Sequence, residues 1–378
     1  MHNYFDDKVG FVETVMKAFG ELFIDETKKG IKLQTMEYKK HGSHIIVDQG
    51  KNQIAGYTDI KKGLFEDVPV IIFGDHTRVI KYVDQPFFLG ADGVKILRSK
   101  DKNANYKYLY YALRNANIPD TGYNRHFKWL KETKINYPSV ARQDEIVRIL
   151  DKLSDIIDRR KTQLQGLDSL IKARFVEMFG DVIHNDRKWE CKQFSDITTS
   201  RLGKMLDAKH QTGTCKYPYL ANFNVQWFRF ELGNLNEMDF NEKDREEFYL
   251  EDGDLLVCEG GEIGRCAVWH NQVKKCFFQK ALHRVRCNQN IILPDYLSLW
   301  FKYNCENGGF AAIEGAKATI SHLTGVKMKM LDVTVPPIEL QEQFVDFIKQ
   351  VDKSKVVVQK ALDEAQLLFD SLMQKYFG

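Results

Sequence analysis

Polar, basic and aromatic side chains are concentrated in loop-like stretches at two places in this chain of 378 residues. Asn, Gln, Arg and Lys are the side chains that match base edges in a DNA groove, while Lys, Thr and Ser commonly hold phosphates. In the first half the candidate DNA-binding residues are Lys51, Asn52, Gln53, His76, Thr77, Arg78, Asn124, Arg125 and Lys128. In the second half they are Lys204, Asn222, Asn224, Gln226, Arg229, Gln279, His283, Arg284, Lys317 and Thr319. Each cluster alone is more typical of a solvated surface, but their recurrence in both halves favours nucleic-acid binding.

The sequence contains none of several common catalytic motifs. It lacks a phosphate-binding loop, a dinucleotide-binding turn, a nucleophile elbow and the Asn/Asp-Pro-Pro-Tyr/Phe tetrapeptide of amino-methyltransferases. The nearest acidic candidate is the pair Asp75 and His76 after a predicted strand. Neighbouring residues on one turn seldom converge as base and orienter, so we predict no catalytic residue and no metal site. A divergent nuclease that uses this pair is the enzymatic alternative.

The composition is that of an ordinary soluble protein, with 43% hydrophobic and 28% charged residues. A net charge of +3 permits a nucleic-acid partner without requiring one. No apolar run approaches the roughly 20 residues that span a bilayer. The seven cysteines form no Cys-x-x-Cys pair, which argues against a zinc knuckle, and their odd number argues against a disulfide framework. Because the sequence begins without a secretion signal, we expect a cytoplasmic location.

Two long helical segments are predicted to position the polar clusters. The segments 138–180 and 336–378 align without a gap, and in both of them apolar residues recur on alternating three- and four-residue steps. This periodicity predicts long helices with a coiled-coil seam, and the prolines at their starts fit helix entry. A helix from Ala141 to Phe179 would be roughly 58 Å long. Two tandem copies can bury their apolar stripes against each other, so we predict an antiparallel pair within the chain. A coiled coil between chains is the alternative.

The repeat divides the chain into two globular units, each followed by a spacer helix. The predicted boundaries are 1–136 for the first unit, 137–180 for its helix, 181–334 for the second unit and 335–378 for the second helix. The predicted fold class is α+β: two strand-rich α/β globular domains, separated by two long helices that pack as an antiparallel coiled coil, with a pseudo-two-fold internal repeat.

The first globular unit should open with an amphipathic helix that places Val12, Val15, Met16 and Phe19 on one face. Short strands punctuated by glycine follow it, and a helix from about Tyr106 closes the unit. The second unit repeats the layout with different residues. Its counterparts of Glu66-Asp67, Phe87-Phe88 and Tyr108-Leu109 are Glu251-Asp252, Phe277-Phe278 and Tyr296-Leu297.

This arrangement resembles the specificity subunit of type I restriction–modification enzymes. The resemblance rests on the helix entries 137–146 and 335–344, which are similar to the family's Pro-x-Pro-Pro-hydrophobic-x-x-Gln start. Thr334 replaces the leading proline of the second copy, and Asn136 and Ser139 are the departures in the first. The stretches 250–257 and 74–77 add further similarity. The resemblance covers nearly the whole chain and is weaker before about Ile31.

The resemblance implies that each globular unit is a target-recognition domain that reads one half of a split, asymmetric target in double-stranded DNA. It implies that the paired helices set the gap and dock two methyltransferase (modification) subunits. Those partners would bind S-adenosylmethionine and methylate adenine, and a motor–nuclease (restriction) subunit would cleave unmodified DNA. No cofactor is expected on this chain itself. A scaffold protein whose coiled coil joins other proteins without touching DNA is a further alternative.

Overall fold

The structure is a computed structural model that describes residues 15–90, 92–206, 211–311 and 322–378. The chain divides into two compact units. The first unit comprises Met1–Thr162 and Gln359–Gly378, and the second comprises Gln163–Val358. Both divisions fall inside the long helices, so each unit contains one globular part and one portion of each helix. The narrower boundaries at residues 136, 180 and 334 stay a prediction.

The described residues of the first unit form short strands and three short helices. Its strands are β1 (Val15–Ala18), β2 (Phe23–Asp25), β3 (His44–Val47), β4 (Gly56–Thr58), β5 (Val70–Gly74), β6 (Ile80–Val83), β7 (Phe87–Leu89), β8 (Val94–Ser99) and β9 (Lys134–Tyr137). Its helices are α1 (Phe19–Leu22), α2 (Tyr106–Arg114) and α3 (Phe127–Leu130), followed by the long helix α4 (Val140–Phe179). Short 3-10 turns lie at Thr27–Lys29 and Thr35–Glu37.

The second unit repeats this order of elements, with one hairpin and one short helix added. Its strands are β10 (Glu190–Gln193), β11 (Thr198–Leu202), β12 (Lys216–Leu220), β13 (Val225–Gln226), β14 (Arg229–Phe230), β15 (Asn236–Asp239), β16 (Leu255–Cys258), β17 (Cys266–Val268), β18 (Phe277–Phe278), β19 (Leu282–Cys287) and β20 (Asp332–Val335). Its helices are α5 (Phe194–Ile197), α6 (Glu242–Phe248), α7 (Pro294–Glu306) and α8 (Gly325–Lys329), followed by the long helix α9 (Ile338–Phe377), with a 3-10 turn at Asn222–Asn224.

The sheets of the two units have matching topologies. In the first unit the strand orders are β2-β8-β5-β6, β4-β3-β7 and β1-β9, and in the second they are β11-β19-β16-β17, β15-β12-β18 and β10-β20. In both units the diphenylalanine strand pairs in parallel: β7 pairs with β3, and β18 pairs with β12. The predicted internal repeat is therefore confirmed, including the correspondence of β5 with β16 and of α2 with α7.

The entry of each long helix is fixed by a buried glutamine at the same place in the repeat. The Gln143 amide donates to the Pro138 carbonyl oxygen at 2.9 Å and accepts from the Asn105 backbone N–H at 3.0 Å. The Gln341 amide donates to the Pro336 carbonyl oxygen at 2.8 Å and accepts from the Leu293 backbone N–H at 2.9 Å. Each glutamine thereby joins the start of its long helix to the start of α2 or α7.

A buried tyrosine makes a second equivalent contact in each unit. The Tyr108 hydroxyl donates to the Asn136 carbonyl oxygen at 2.6 Å, and the Tyr296 hydroxyl donates to the Thr334 carbonyl oxygen at 2.8 Å. Burial raises the pKa of both phenols, so both stay protonated as donors. These bonds tie the short helix to the strand that precedes the long helix.

In each unit, a portion of α4 packs antiparallel to a portion of α9. In the second unit the rings of Phe175 and Phe344 lie 5.7 Å apart, and the Lys355 ammonium lies 2.7 Å from the Asp168 carboxylate. In the first unit, Arg142 lies over the Tyr376 ring at 5.6 Å, and residues of both helices share one core: Leu150, Ile157, Ala365, Phe369 and Met373. The predicted intramolecular antiparallel packing is confirmed.

The predicted opening helix is wrong over residues 15–18. These residues form β1, which pairs antiparallel with β9 so that Val15 lies opposite Tyr137. Only Phe19–Leu22 is helical in this region, with Phe19 and Leu22 buried. The periodicity was misleading because the local sequence cannot show that a distant strand offers backbone hydrogen bonds. Val12 lies outside the described residues. Within the described part of the chain, no helix is both long and apolar enough to cross a bilayer.

Candidate nucleic-acid interface

Three loops of the first unit are joined to one another. We call them the first loop cluster: the β3–β4 loop (48–55), the β5–β6 turn (75–79) and the segment between α2 and α3 (115–126). The Thr77 hydroxyl donates to the Gln49 carbonyl oxygen at 2.6 Å, which joins the first two loops. The Arg78 guanidinium donates to the Asp120 carboxylate at 2.6 Å and to the Ile118 carbonyl oxygen at 3.3 Å. This joins the turn to the third loop.

Most predicted DNA contacts of the first half lie in this cluster. Lys51, Asn52, Gln53, Thr77, Asn124 and Arg125 are exposed, whereas His76 and Arg78 are half-buried. The His76 ring stacks on the exposed ring of Tyr123, with ring centroids 4.7 Å apart. Arg78 has a φ of +60°, a backbone conformation that favours glycine and is often found at functional sites. Lys128 lies outside the cluster on α3, where its ammonium covers the Trp129 ring at 4.1 Å.

A basic groove of about 550 Å³ opens beside the cluster. The cationic side chains that line it are Lys51, Arg78, Lys81 and Arg114. Burial lowers the pKa of Lys81, and the Asp48 carboxylate 3.5 Å away opposes that shift. Arg114 is exposed at the end of α2. A groove with this charge suits a phosphate backbone.

Sequence reasoning missed Lys81 and Arg114 as lining residues of this groove. Both belong to regular elements, β6 and α2, whereas the polar residues that indicated DNA contacts in the sequence lie in loop-like stretches. The available signal was the position of Arg114 in the last turn of an amphipathic helix, next to the third loop.

Asp75 has a structural contact instead of a catalytic geometry. Its side chain is 3% exposed, and one carboxylate oxygen accepts the backbone N–H of Phe127 at 2.7 Å, at the start of α3. Its carbonyl oxygen lies 3.0 Å from Nδ1 of His126. The neighbouring His76 ring is directed to Tyr123. The carboxylate and the imidazole therefore serve different contacts, which weakens the nuclease alternative.

The second unit has its own set of joined loops, and the first two of them correspond in the repeat to the β3–β4 loop and the β5–β6 turn. We call it the second loop cluster: the segment 221–231 with the β13–β14 hairpin, the β16–β17 loop (259–265) and residues 279–281. The Asn222 amide donates to the Gly260 carbonyl oxygen at 3.1 Å, and the Arg265 guanidinium donates to the Asn222 carbonyl oxygen at 3.2 Å. The predicted residues Asn222, Gln226, Arg229 and Gln279 lie here, with Arg229 exposed and paired with Glu231.

Two predicted DNA contacts of the second unit are used inside the fold. The Lys204 ammonium lies 2.5 Å from the Asp244 carboxylate and donates to the Asp239 carbonyl oxygen at 2.7 Å. Asn224 is 2% exposed; its amide accepts from the Ala221 N–H and donates to the Glu231 carbonyl oxygen, both at 2.9 Å. Both side chains are used by contacts within the unit, so we do not retain the two residues as base contacts.

His283 and Arg284 on β19 are also directed into the protein. His283 is 3% exposed, and burial lowers its pKa. The Arg284 guanidinium donates to the carbonyl oxygens of Glu247 at 3.0 Å and Tyr249 at 2.9 Å, at the end of α6. Its side chain also covers the Phe278 ring at 5.4 Å. Lys317 and Thr319 lie outside the described residues.

Replacing Arg284 with alanine is expected to destabilise the second unit by about 2 kcal/mol. The change removes the donor to the Glu247 carbonyl oxygen, leaves the Tyr249 carbonyl oxygen with the longer bond from Arg286 at 3.4 Å, and removes packing on Phe278. Denaturant unfolding checks this value, with Arg229→Ala as an exposed control expected to change stability by less than about 0.5 kcal/mol. Unchanged stability together with altered DNA preference would instead make Arg284 a base contact.

The fold and the loop clusters define a protein built from two copies of one binding module. A family model described as type I restriction modification DNA specificity domain matches residues 12–168 and 186–365. The chain therefore belongs to the family of type I restriction–modification specificity proteins, as the helix entries indicated.

Two curated relatives show the range of sequence similarity. The chain is 30% identical over 165 residues to the type I restriction enzyme EcoR124I/EcoR124II specificity subunit of Escherichia coli. That match spans 40% of this chain and 41% of the relative's own length. It is 23% identical over 302 residues to the putative type I restriction enzyme specificity subunit S.HindORF215P of Haemophilus influenzae, covering 76% and 74% of the two chains.

Solved structures share the fold over almost the full length. The S subunit of a type I restriction–modification system from M. genitalium superposes with a TM-score of 0.61 at 15% identity, covering 98% of each chain. A structure concerned with complex assembly and conformational transition of the type I system gives a TM-score of 0.56 at 14% identity, covering 98% and 99%. At these identities the similarity shows the fold alone.

Proposed function

We propose that this chain is the non-catalytic, sequence-specific DNA-recognition subunit of a type I restriction–modification complex. Each unit reads one half of a bipartite target with its loop cluster. The observation that carries the proposal is the contrast between scaffold and loops. The same topology, glutamine and tyrosine contacts recur in both units, while the loop clusters carry different side chains. Two different loop surfaces on one repeated scaffold suit an asymmetric target.

The proposed partners supply the chemistry that the chain itself does not perform. Two methyltransferase subunits dock on the paired helices, bind S-adenosylmethionine and methylate adenine, and a motor–nuclease subunit cleaves unmodified DNA. The modest net charge of +3 supports this division, because partner subunits that enclose the duplex can provide further phosphate contacts.

Mapping methylated adenines in a host that expresses this chain with its partner subunits tests the proposed function. We expect methylation at a split sequence whose two halves differ. The purified chain alone, incubated with DNA, divalent metal and S-adenosylmethionine, is expected neither to cut nor to methylate. Activity of the isolated chain would favour an enzyme, and a complex with no salt-dependent duplex binding would favour a scaffold.

Arg125→Ala is expected to relax base preference in the first half-site only. Arg125 is exposed in the first loop cluster, and losing one base contact typically reduces discrimination by about 1–3 kcal/mol. Gln226→Ala in the second loop cluster should affect only the other half-site. Lys28→Ala removes an exposed cation from the 3-10 turn at Thr27–Lys29, outside the cluster, and serves as the control. Methylome sequencing of each variant gives the readout, and equal relaxation of both half-sites would contradict separate reading.

A further inference from the structure

The hairpin of the second loop cluster has an unusual turn. Strands β13 and β14 pair Gln226 with Arg229, so Trp227 and Phe228 form the two-residue connection. Such turns usually contain glycine, asparagine or aspartate, because they require a backbone with positive φ. Phe228 has a φ of +63°, where a bulky side chain is strained. A strained aromatic residue at a turn indicates a function other than folding.

Contacts with strand β17 and with Lys302 hold the turn in place. The Phe228 backbone N–H donates to the Cys266 carbonyl oxygen at 3.0 Å, on strand β17. The Trp227 ring lies below the Lys302 ammonium at 4.3 Å and 5.8 Å from the Phe228 ring. Lys302 is itself held by Glu262 at 3.4 Å. Trp227 thus anchors the hairpin while Phe228 projects from it.

The Phe228 ring is partly exposed to solvent, and polar side chains lie next to it in the sequence. It is 43% exposed, and Phe223 on the same segment is 57% exposed. The Gln226 amide donates to the Phe223 carbonyl oxygen at 3.0 Å, and the exposed Arg229 follows the turn. Packing in the core therefore does not account for the whole ring. Asparagine or glycine would adopt this positive φ with less strain.

We propose that the Phe228 ring inserts between two adjacent base pairs of the half-site read by the second unit, supported by Trp227. The proposal rests on the proposed DNA-recognition function. A two-stranded ribbon fits a DNA groove, and apolar side chains that enter a base step unstack and kink the duplex. Two exposed rings, Phe223 and Phe228, beside the polar Gln226 and Arg229 suit a base step better than a protein partner, whose interface core is usually a broader apolar patch.

The test uses the full chain assembled with its partner subunits and a duplex that bears the mapped target. 2-Aminopurine replaces one base at a time in the second half-site, and its fluorescence reports unstacking. Phe228→Asn removes the ring but tolerates positive φ. We expect it to bind about tenfold more weakly, within the range of base–aromatic stacking. It should also lose the fluorescence change and unfold at the same or a higher temperature. Phe228→Tyr keeps the ring and should keep both signals.

Three outcomes would overturn the insertion. Phe228→Asn could bind as tightly as the parent chain with the same fluorescence change, which rejects the wedge while DNA recognition stands. Phe228→Tyr could lose the signal although its ring remains, which rejects stacking as the cause. Phe228→Asn could lose a partner subunit in size-exclusion chromatography, which makes the ring a protein contact. Absence of sequence-specific binding by the parent complex would instead refute the proposed function itself.

Discussion

Inserting four residues into each long helix is expected to lengthen the gap between the two methylated half-sites by about two base pairs. Four residues add roughly 6 Å to a helix, and base pairs are spaced at about 3.4 Å. The insertion points are after Thr162 and after Val358, where the division between the two units falls. Each unit keeps its own core, because no residue within either portion is replaced. Methylome sequencing of a host that carries this variant measures the gap.

The control variants distinguish the effect of helix length from the effect of rotating the apolar stripe around the helix. Four residues shift the apolar stripe by only about 40°, whereas two residues turn it by about 200°. Inserting two residues into both helices should therefore expose the stripe and abolish methylation. Inserting four residues into α4 alone should also fail, because its seam would no longer match α9. An unchanged gap in the double four-residue variant would reject the helices as spacers.

Gln341→Leu is expected to lower the stability of the second unit by about 3 kcal/mol. Gln341 is fully buried and makes three hydrogen bonds, accepting from the Leu293 N–H and donating to the carbonyl oxygens of Ile291 at 3.0 Å and Pro336 at 2.8 Å. Leucine has a similar size but leaves these buried or half-buried groups unpaired, and each unpaired buried group is unfavourable by about 1–3 kcal/mol. Gln143→Leu in the first unit breaks two equivalent bonds and should have a smaller effect.

Hydrogen exchange with mass spectrometry localises the effect that denaturant unfolding measures. Gln341→Leu should reduce protection in α7 and in the adjoining portion of α9, while the first unit stays protected. Gln350→Leu changes an exposed glutamine of the same helix and should leave stability within about 0.5 kcal/mol. Uniform loss of protection in both units would mean that the glutamine does not act locally.

The sequence predicted the repeated architecture well because periodicity and spacing are local signals. The apolar repeat placed the long helices within three residues of the observed bounds at Val140 and Ile338. The short strands expected between glycines in the first unit are present, among them β3 (His44–Val47) and β7 (Phe87–Leu89). The pairing of β1 with β9 was missed, since the partner strand lies far away in the sequence.

The candidate interface was harder to predict, because the side chains that can read bases can also hydrogen-bond to backbone groups inside the protein. Asn224 in the second loop cluster and Arg284 close to it in sequence are hydrogen-bonding residues, yet both bond to backbone groups inside the unit. Exposure distinguishes Arg125 from them, and exposure depends on the folded chain. Sequence also could not reveal the positive φ of Phe228, which depends on the hairpin register.

The glutamine contacts have a practical consequence for building chimaeras. Each one ties the start of a long helix to the short helix of the globular part that precedes it. A graft joined inside α4 or α9 would bring in one parent's core residues against the other parent's. Joints at Pro138 and Pro336 would instead keep each long helix whole. The incoming globular part would then have to present a backbone N–H to the glutamine and a matching apolar surface to the long helices. Exchange of globular parts between homologous genes is therefore best designed at these two prolines.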